Sequence, residues 1–323
     1  MHPAAPVSVV TPVAHAFDWT KRVLFQPFDL YRWLVVGFTA WLATLGEQWA
    51  GGNVGGRQTG GNPDWQPQAV WDETRTYVAD NLPWLVPVVI LAVLLLVALG
   101  LVVIWLSSRG RFMFLHNVAL NQAEVVAPWH RYRQHGNSLF LFRIVVALVA
   151  FLLAIPLLAI AVAASIPMFR DQMFAPIPLI ILVVAMLGLF VVGVGVALVE
   201  KFTKDFVVPI MALRQPSCRL AWNEFGGLLR SSPGNFALYI LFQILLSLAT
   251  AVLVLVVVAL TCCIAGCLLA LPYLGTVFLL PILVFFRSYS LLYFAQYGPA
   301  YNVFASEPSG PSHPSTDSPL PPR

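Results

Sequence analysis

The chain is poor in charge of either sign. Its 323 residues include 18 Lys and Arg and 14 Asp and Glu, a charged fraction of 10%, where soluble domains carry roughly 25%. So little charge excludes an ordinary water-facing surface. Polar segments long enough to hold a catalytic domain are also lacking, since stretches such as 107–143 fall short of the ~50 residues at which domains begin. There is no Gly-rich phosphate loop ending in Gly-Lys-Ser/Thr, no dinucleotide fingerprint and no Gly-x-Ser-x-Gly elbow. Cysteine is scarce, with 4 in all. Cys262, Cys263 and Cys267 cluster without the Cys-x-x-Cys pair and fourth ligand of a zinc site. They read as small packing residues, with a disulfide left open. His116, His130 and His135 form neither His-x-x-x-His nor His-Glu-x-x-His and read as headgroup-level residues. No catalytic group, cofactor, metal or nucleic-acid partner is expected.

What is present is long apolar sequence. Hydrophobic residues make up 59% of the chain and mean hydropathy is +0.82. Charge-free runs lie between Asp80 and Arg109, Arg143 and Arg170, and Asp171 and Glu200. Each exceeds the ~20 residues that cross a bilayer's hydrocarbon core. The run from Arg230 to Arg287 has room for two more. A shorter run from Arg32 to Glu47 completes a set of six, its ends snorkelling or thinning the bilayer. The N-terminus lacks a basic start followed by an apolar core, so the first span is expected to direct insertion itself.

Lys and Arg resist translocation and so set orientation. With six spans, only Arg57, Arg75 and Arg170 of the 18 basic residues fall on one side. The expectation is a bacterial cytoplasmic membrane protein with both termini in the cytoplasm.

Three segments repeat a pattern. "FMFLHNVAL" (112–120) aligns with "DFVVPIMAL" (205–213), and at the same offset Trp129 falls on Trp222; Trp19 opens a looser third copy. Each copy leads into one span, a turn, a second span and a basic exit, at Arg109 and Arg111, Lys201 and Lys204, and Arg287. The Trp segments have the three- and four-residue apolar spacing of a helix face: Ala16, Phe17, Trp19, Val23 and Leu24 in the first, Cys218, Ala221, Trp222, Phe225, Leu228 and Leu229 in the third. They read as amphipathic helices on the inner leaflet. Trp19, Trp129 and Trp222 with Lys21, Arg22, Arg131, Arg133, Arg219 and Arg230 are the expected interface anchors, facing anionic headgroups. The expected fold is therefore all-α: an integral membrane protein with six transmembrane helices in three helical-hairpin repeats. Residues 1–14 are a flexible N-terminus. Residues 15–304 form one domain of units 15–120, 121–213 and 214–304, and 305–323 are a disordered Pro/Ser-rich tail.

Four further residues stand out. Glu47, at the outer end of the first span, reads as the mark of an aqueous boundary, with a functional intramembrane carboxylate as the sharper alternative. Pro272, Gly275 and Pro281 break or kink the sixth span, as packing kinks or as the frame of a substrate site. Glu200, Lys201, Lys204 and Asp205 are spaced as two i,i+4 ion pairs. Gly188, Gly193, Gly195 and Ala197 permit close helix approach.

"DFVVPIMAL", the Trp222 segment ending "PGNFALY", and "LPYLGTVFLLPILVFFRSYSLLYFAQYGP" (271–299) together resemble bacterial multi-pass proteins akin to the membrane domain fused to some glycerophosphodiester phosphodiesterases. The resemblance implies a membrane module without hydrolase activity, because the His-Arg-Gly start and metal-binding carboxylates of the fused barrel have no counterpart here. The functional expectation is a non-enzymatic membrane module that meets lipid, a membrane-protein partner or a second copy of itself. The alternative is a transporter or exporter of a small or amphiphilic solute.

Overall fold

The computed structural model describes residues 7–50, 67–170, 176–214, 217–261, 266, 269 and 271–305. Among them there is no strand. Helix α1 (Thr11–Phe25) starts with Pro12, which has no amide to lose in the first turn, and stops before Pro27. Helix α2 is Leu30–Ala50, α3 Pro67–Ala119, α4 Val126–Arg131, α5 Arg133–Arg170 and α6 Pro176–Phe202. A π-helical turn, Thr203–Val207, joins α6 to α7 (Val208–Arg214). Then come α8 (Cys218–Ser231), α9 (Pro233–Leu260), α10 (Pro272–Phe278) and α11 (Leu280–Ala295). The backbone breaks between α10 and α11 at Leu279, two residues before Pro281, where no amide is available to continue the ladder.

Four helical stretches are long and apolar enough to cross a membrane: Asn81–Ala119, Arg133–Ile166, Pro176–Arg214 and Pro233–Leu260. Their most apolar windows have mean hydropathy between 2.8 and 3.3, yet only 6% of each window is buried. Leu, Val and Ile thus point outward along most of α3, α5, α6 and α9, as a lipid-facing surface requires. Leu30–Leu45 and Leu280–Ala295, the expected first and last spans, are shorter apolar helices.

The buried core sits at one end of these long helices. Phe112, Leu115, Phe206, Ile210, Met211, Phe225, Phe236, Tyr239 and Tyr293 are 0–1% exposed and belong to one cluster. Phe206 is its hub, with its ring against those of Phe225, Phe236, Tyr239 and Phe294. Residues 112–119 and 205–211, from the two aligned repeat segments, are buried, with Phe114 and Val118 in a second cluster beside Val23, Leu24 and Val36. Helix α2 runs antiparallel along the end of α3. Ser107 donates to the Ala43 carbonyl at 3.1 Å, Asn117 to Thr39 at 3.4 Å and Arg32 to the Asn121 carbonyl at 2.6 Å. A Cβ on Gly110 would lie 2.5 Å from the Leu42 backbone, so only glycine allows the two helices to approach this closely. From this contact, residues 67–102 of α3 continue away from the core for about 50 Å.

Within residues 1–14, read as flexible, the Ser8 amide donates to the Gln296 side chain at 2.8 Å, and the Val9 carbonyl accepts from the Tyr289 hydroxyl at 3.0 Å. The apolar faces of the Trp-led helices are turned toward protein. Ala16, Val23 and Leu24 of α1 and Cys218, Ala221 and Phe225 of α8 are buried in the core, while Phe17 of the predicted face is exposed. An apolar helix stripe fits a bilayer and a protein core equally well, so periodicity alone does not choose between them. Cys262, Cys263 and Cys267 lie outside the described residues.

Candidate functional site: a shared ionic network

Each of the three expected basic exits sends at least one residue to one place. Arg111, near the end of α3, is 2% exposed at its side chain; its Nη2 lies 3.4 Å from Glu47 Oε1 and 3.0 Å from Glu200 Oε2. Arg143 of α5 donates from Nε to Glu200 Oε1 at 3.1 Å, and from Nη1 to Ser107 and Ser108 at 3.3 and 3.4 Å. Lys204 reaches both Glu47 oxygens, at 3.0 and 3.1 Å. Lys201 pairs with Asp205 at 2.9 Å and donates to Gln243 Oε1 at 2.7 Å. Asp205 also accepts from Tyr239 at 2.9 Å, whose hydroxyl accepts in turn from Gln243 at 3.0 Å. Arg287 of α11 donates to the Lys204 carbonyl at 2.6 Å. Residues from α2, α3, α5, α6, α9 and α11 meet here. The π-turn, a feature that widens a helix locally, presents Lys204 and Asp205 at the centre.

The network has more positive than negative charge. Arg111, Arg143, Lys201, Lys204 and Arg287 stand against Glu47, Glu200 and Asp205. Buried donors remain without partners on Arg111 (Nε, Nη1) and Arg287 (Nε). A cavity of about 160 Å³ opens beside Arg287, bounded by Thr44, Lys201, Lys204, Asp205, Gln243 and Ser247 with the apolar Ala43, Phe114, Leu283 and Phe286. On another face of α11 lies an apolar groove, with Phe17, Lys21, Leu253, Pro281 and Phe285 along it.

Glu47 is thus placed differently from expectation. Its side chain is 37% exposed, but its carboxylate belongs to the same end as Arg111 and Lys204, residues the span count put on the opposite face. The short α2 folds back against the end of α3 and carries Glu47 to that level. Of the two predicted i,i+4 pairs, Lys201–Asp205 forms, whereas Lys204 turns to Glu47 and Glu200 to Arg111 and Arg143. Gly275 is a true close approach, since a Cβ there would lie 2.6 Å from the Leu269 carbonyl oxygen. Pro272 opens α10, and Pro281 follows the break and lines the groove. Gly188 lets Leu157 pack on α6, while Gly193 and Gly195 have open space beside them.

The three Trp anchors are half-buried against protein. The Trp19 indole donates to the Val118 carbonyl at 2.9 Å, and Trp222 stacks on Phe142. Trp129 and Trp105 hold the Arg109 guanidinium between them, 4.7 and 4.2 Å from their centroids. Such paired cation–π contacts hold a cation where carboxylates are absent. Lys21, Arg22, Arg131, Arg133, Arg219 and Arg230 are exposed. Of the histidines, His116 is buried and lies 3.4 Å from the Tyr132 hydroxyl. His135 packs on Phe112 and Tyr132, and His130 is exposed. No group of three or more His, Cys, Asp or Glu among the described residues could hold a metal ion. Burial, opposed in part by Arg131, raises the Tyr132 phenol above its ordinary range.

The network was legible only in part. The basic exits marked where cations recur, and Gln243 is a polar residue inside a charge-free run. Nothing in the spacing showed that the exits of separate hairpins converge.

All-helical architecture with four long apolar helices and an ionic core at one end defines the class of protein. The chain matches, over residues 7–280, a family described as a family of unknown function (DUF7544), and it belongs to that family. No curated protein and no solved structure matches it. The family match carries no link to the membrane domain of glycerophosphodiester phosphodiesterases.

Proposed function

We propose that the chain is a non-enzymatic integral membrane module whose basic end meets the anionic headgroups of a bacterial cytoplasmic membrane. The observation that carries this reading is the division of the surface. Outward-facing Leu, Val, Ile and Phe cover the long helices, and exposed Lys21, Arg22, Arg131, Arg133, Arg219 and Arg230 gather at the end where the core lies. Each such cation near an anionic leaflet contributes about 1 kcal/mol of attraction.

The three-hairpin scheme adds the shorter apolar helices Leu30–Leu45 and Leu280–Ala295 to the four long ones, giving six transmembrane helices with both termini on the basic, cytoplasmic side. The resemblance of 205–239 and 271–299 to the membrane domain of phosphodiesterase fusions fits a module of this kind. A second reading, export of a small or amphiphilic solute, is favoured by the cavity beside the broken α10–α11 segment, lined by both charged and apolar side chains.

The full chain in vesicles tests the first reading. It is expected to resist alkaline extraction, and its thermal midpoint to rise by several degrees when phosphatidylglycerol replaces phosphatidylcholine. Replacing Lys21, Arg22, Arg219 and Arg230 together by Gln should remove most of that rise. Release by alkali, or indifference to lipid charge, would end the proposal.

A further inference from the structure

We infer that the cavity between α2, the π-turn, α9 and α11 binds a phosphate group, with Arg287 as its principal ligand. The inference rests on the membrane reading only for the source of that phosphate.

Two of the cavity's cations are already matched, Lys201 by Asp205 and Lys204 by Glu47. Arg287 is not. It is 4% exposed, it donates to a backbone carbonyl, and its Nε has no partner. No carboxylate among the described residues lies within ion-pairing distance of it. Asp205 and Glu47 act on it only from beyond contact distance; a guanidinium taken out of water without a contacting counter-charge is unfavourable, and its planar fork suits phosphate oxygens.

The whole network repeats the imbalance, with five cations against three carboxylates, so a monoanion would halve the excess and a dianion would cancel it. Gln243 and Ser247, one turn apart on α9, border the same space and add an amide and a hydroxyl donor. Asp205, which also borders it, is held by Lys201 and Tyr239. Its charge is thereby offset before an anion enters. A volume of about 160 Å³ leaves room for a phosphate group. A phospholipid headgroup and free phosphate share this chemistry.

The full chain in phosphatidylcholine nanodiscs separates the two sources when titrated with phosphatidylglycerol in one arm and inorganic phosphate in the other. Saturable single-site binding is expected in at least one arm. Arg287→Gln and Lys204→Gln should each weaken it about tenfold or more. Saturation by the lipid assigns a headgroup site; saturation by phosphate alone assigns a soluble anion. No saturable binding in either arm, or equal binding by wild type and both network variants, overturns the inference. Should Arg287→Gln not fold, Lys204→Gln, at a partly exposed side chain, carries the test. Should the chain not stay in a bilayer, the membrane reading fails, and the phosphate arm in detergent still decides the site.

Discussion

At the scale of single residues, Cys218 shows what burial does. Its side chain is 2% exposed, its amide donates to Ser138 at 3.1 Å, and desolvation pushes the thiol up to about 12. In the unfolded chain a thiol ionises near 8.5. The folded state therefore keeps the proton that the unfolded state loses. This contribution to stability is complete below about pH 8.5 and declines as pH rises toward 12. With Cys262, Cys263 and Cys267 replaced by Ser, maleimide at pH 8 is expected to leave the native protein unlabelled and to label it fully once unfolded. Rapid native labelling would show that the thiol is open. Cys218 was readable as a member of an apolar stripe; that the stripe faces protein was not.

At the scale of elements, the π-turn at Thr203–Val207 organises the basic end. It carries Lys204 and Asp205 into the network and Phe206 into the aromatic hub, where six rings lie within 5.1–6.3 Å of it. Removing the Phe206 ring leaves a cavity that helices on every side would have to collapse to fill. Phe206→Ala is expected to destabilise the protein by about 3–5 kcal/mol, read as a lowered thermal midpoint by tryptophan fluorescence in detergent. Phe206→Leu, which keeps more volume, should lose clearly less. Equal loss in both would point to the backbone turn, and not the packed ring, as the stabilising feature. Sequence alignment did mark this element, because "DFVVPIMAL" and "FMFLHNVAL" keep the same apolar pattern. The extra residue of the π-turn left no such signal, since it changes hydrogen-bond register and not composition.

At the scale of the whole molecule, the proposed orientation rests on which end gathers the cations. Single cysteines placed at Arg131 and at Arg219, in a background freed of the native cysteines, should react with a membrane-impermeant reagent only from the cytoplasmic side. One placed at Arg75 should react only from the other. Labelling of Arg131 and Arg219 from opposite sides would break the hairpin scheme. Composition, apolar run length and the recurrence of basic exits determined by themselves that the chain is helical and carries helices long enough for a bilayer, because those properties depend on local sequence and solvent preference. Which residues meet did not follow from them. Glu47 joining Arg111 and Lys204, the Trp-led helices facing inward, and Arg287 left without a direct ion pair are decided by how the helices pack. Ion pairing and close approach depend on distances between segments far apart along the chain, and hydropathy carries no information about those.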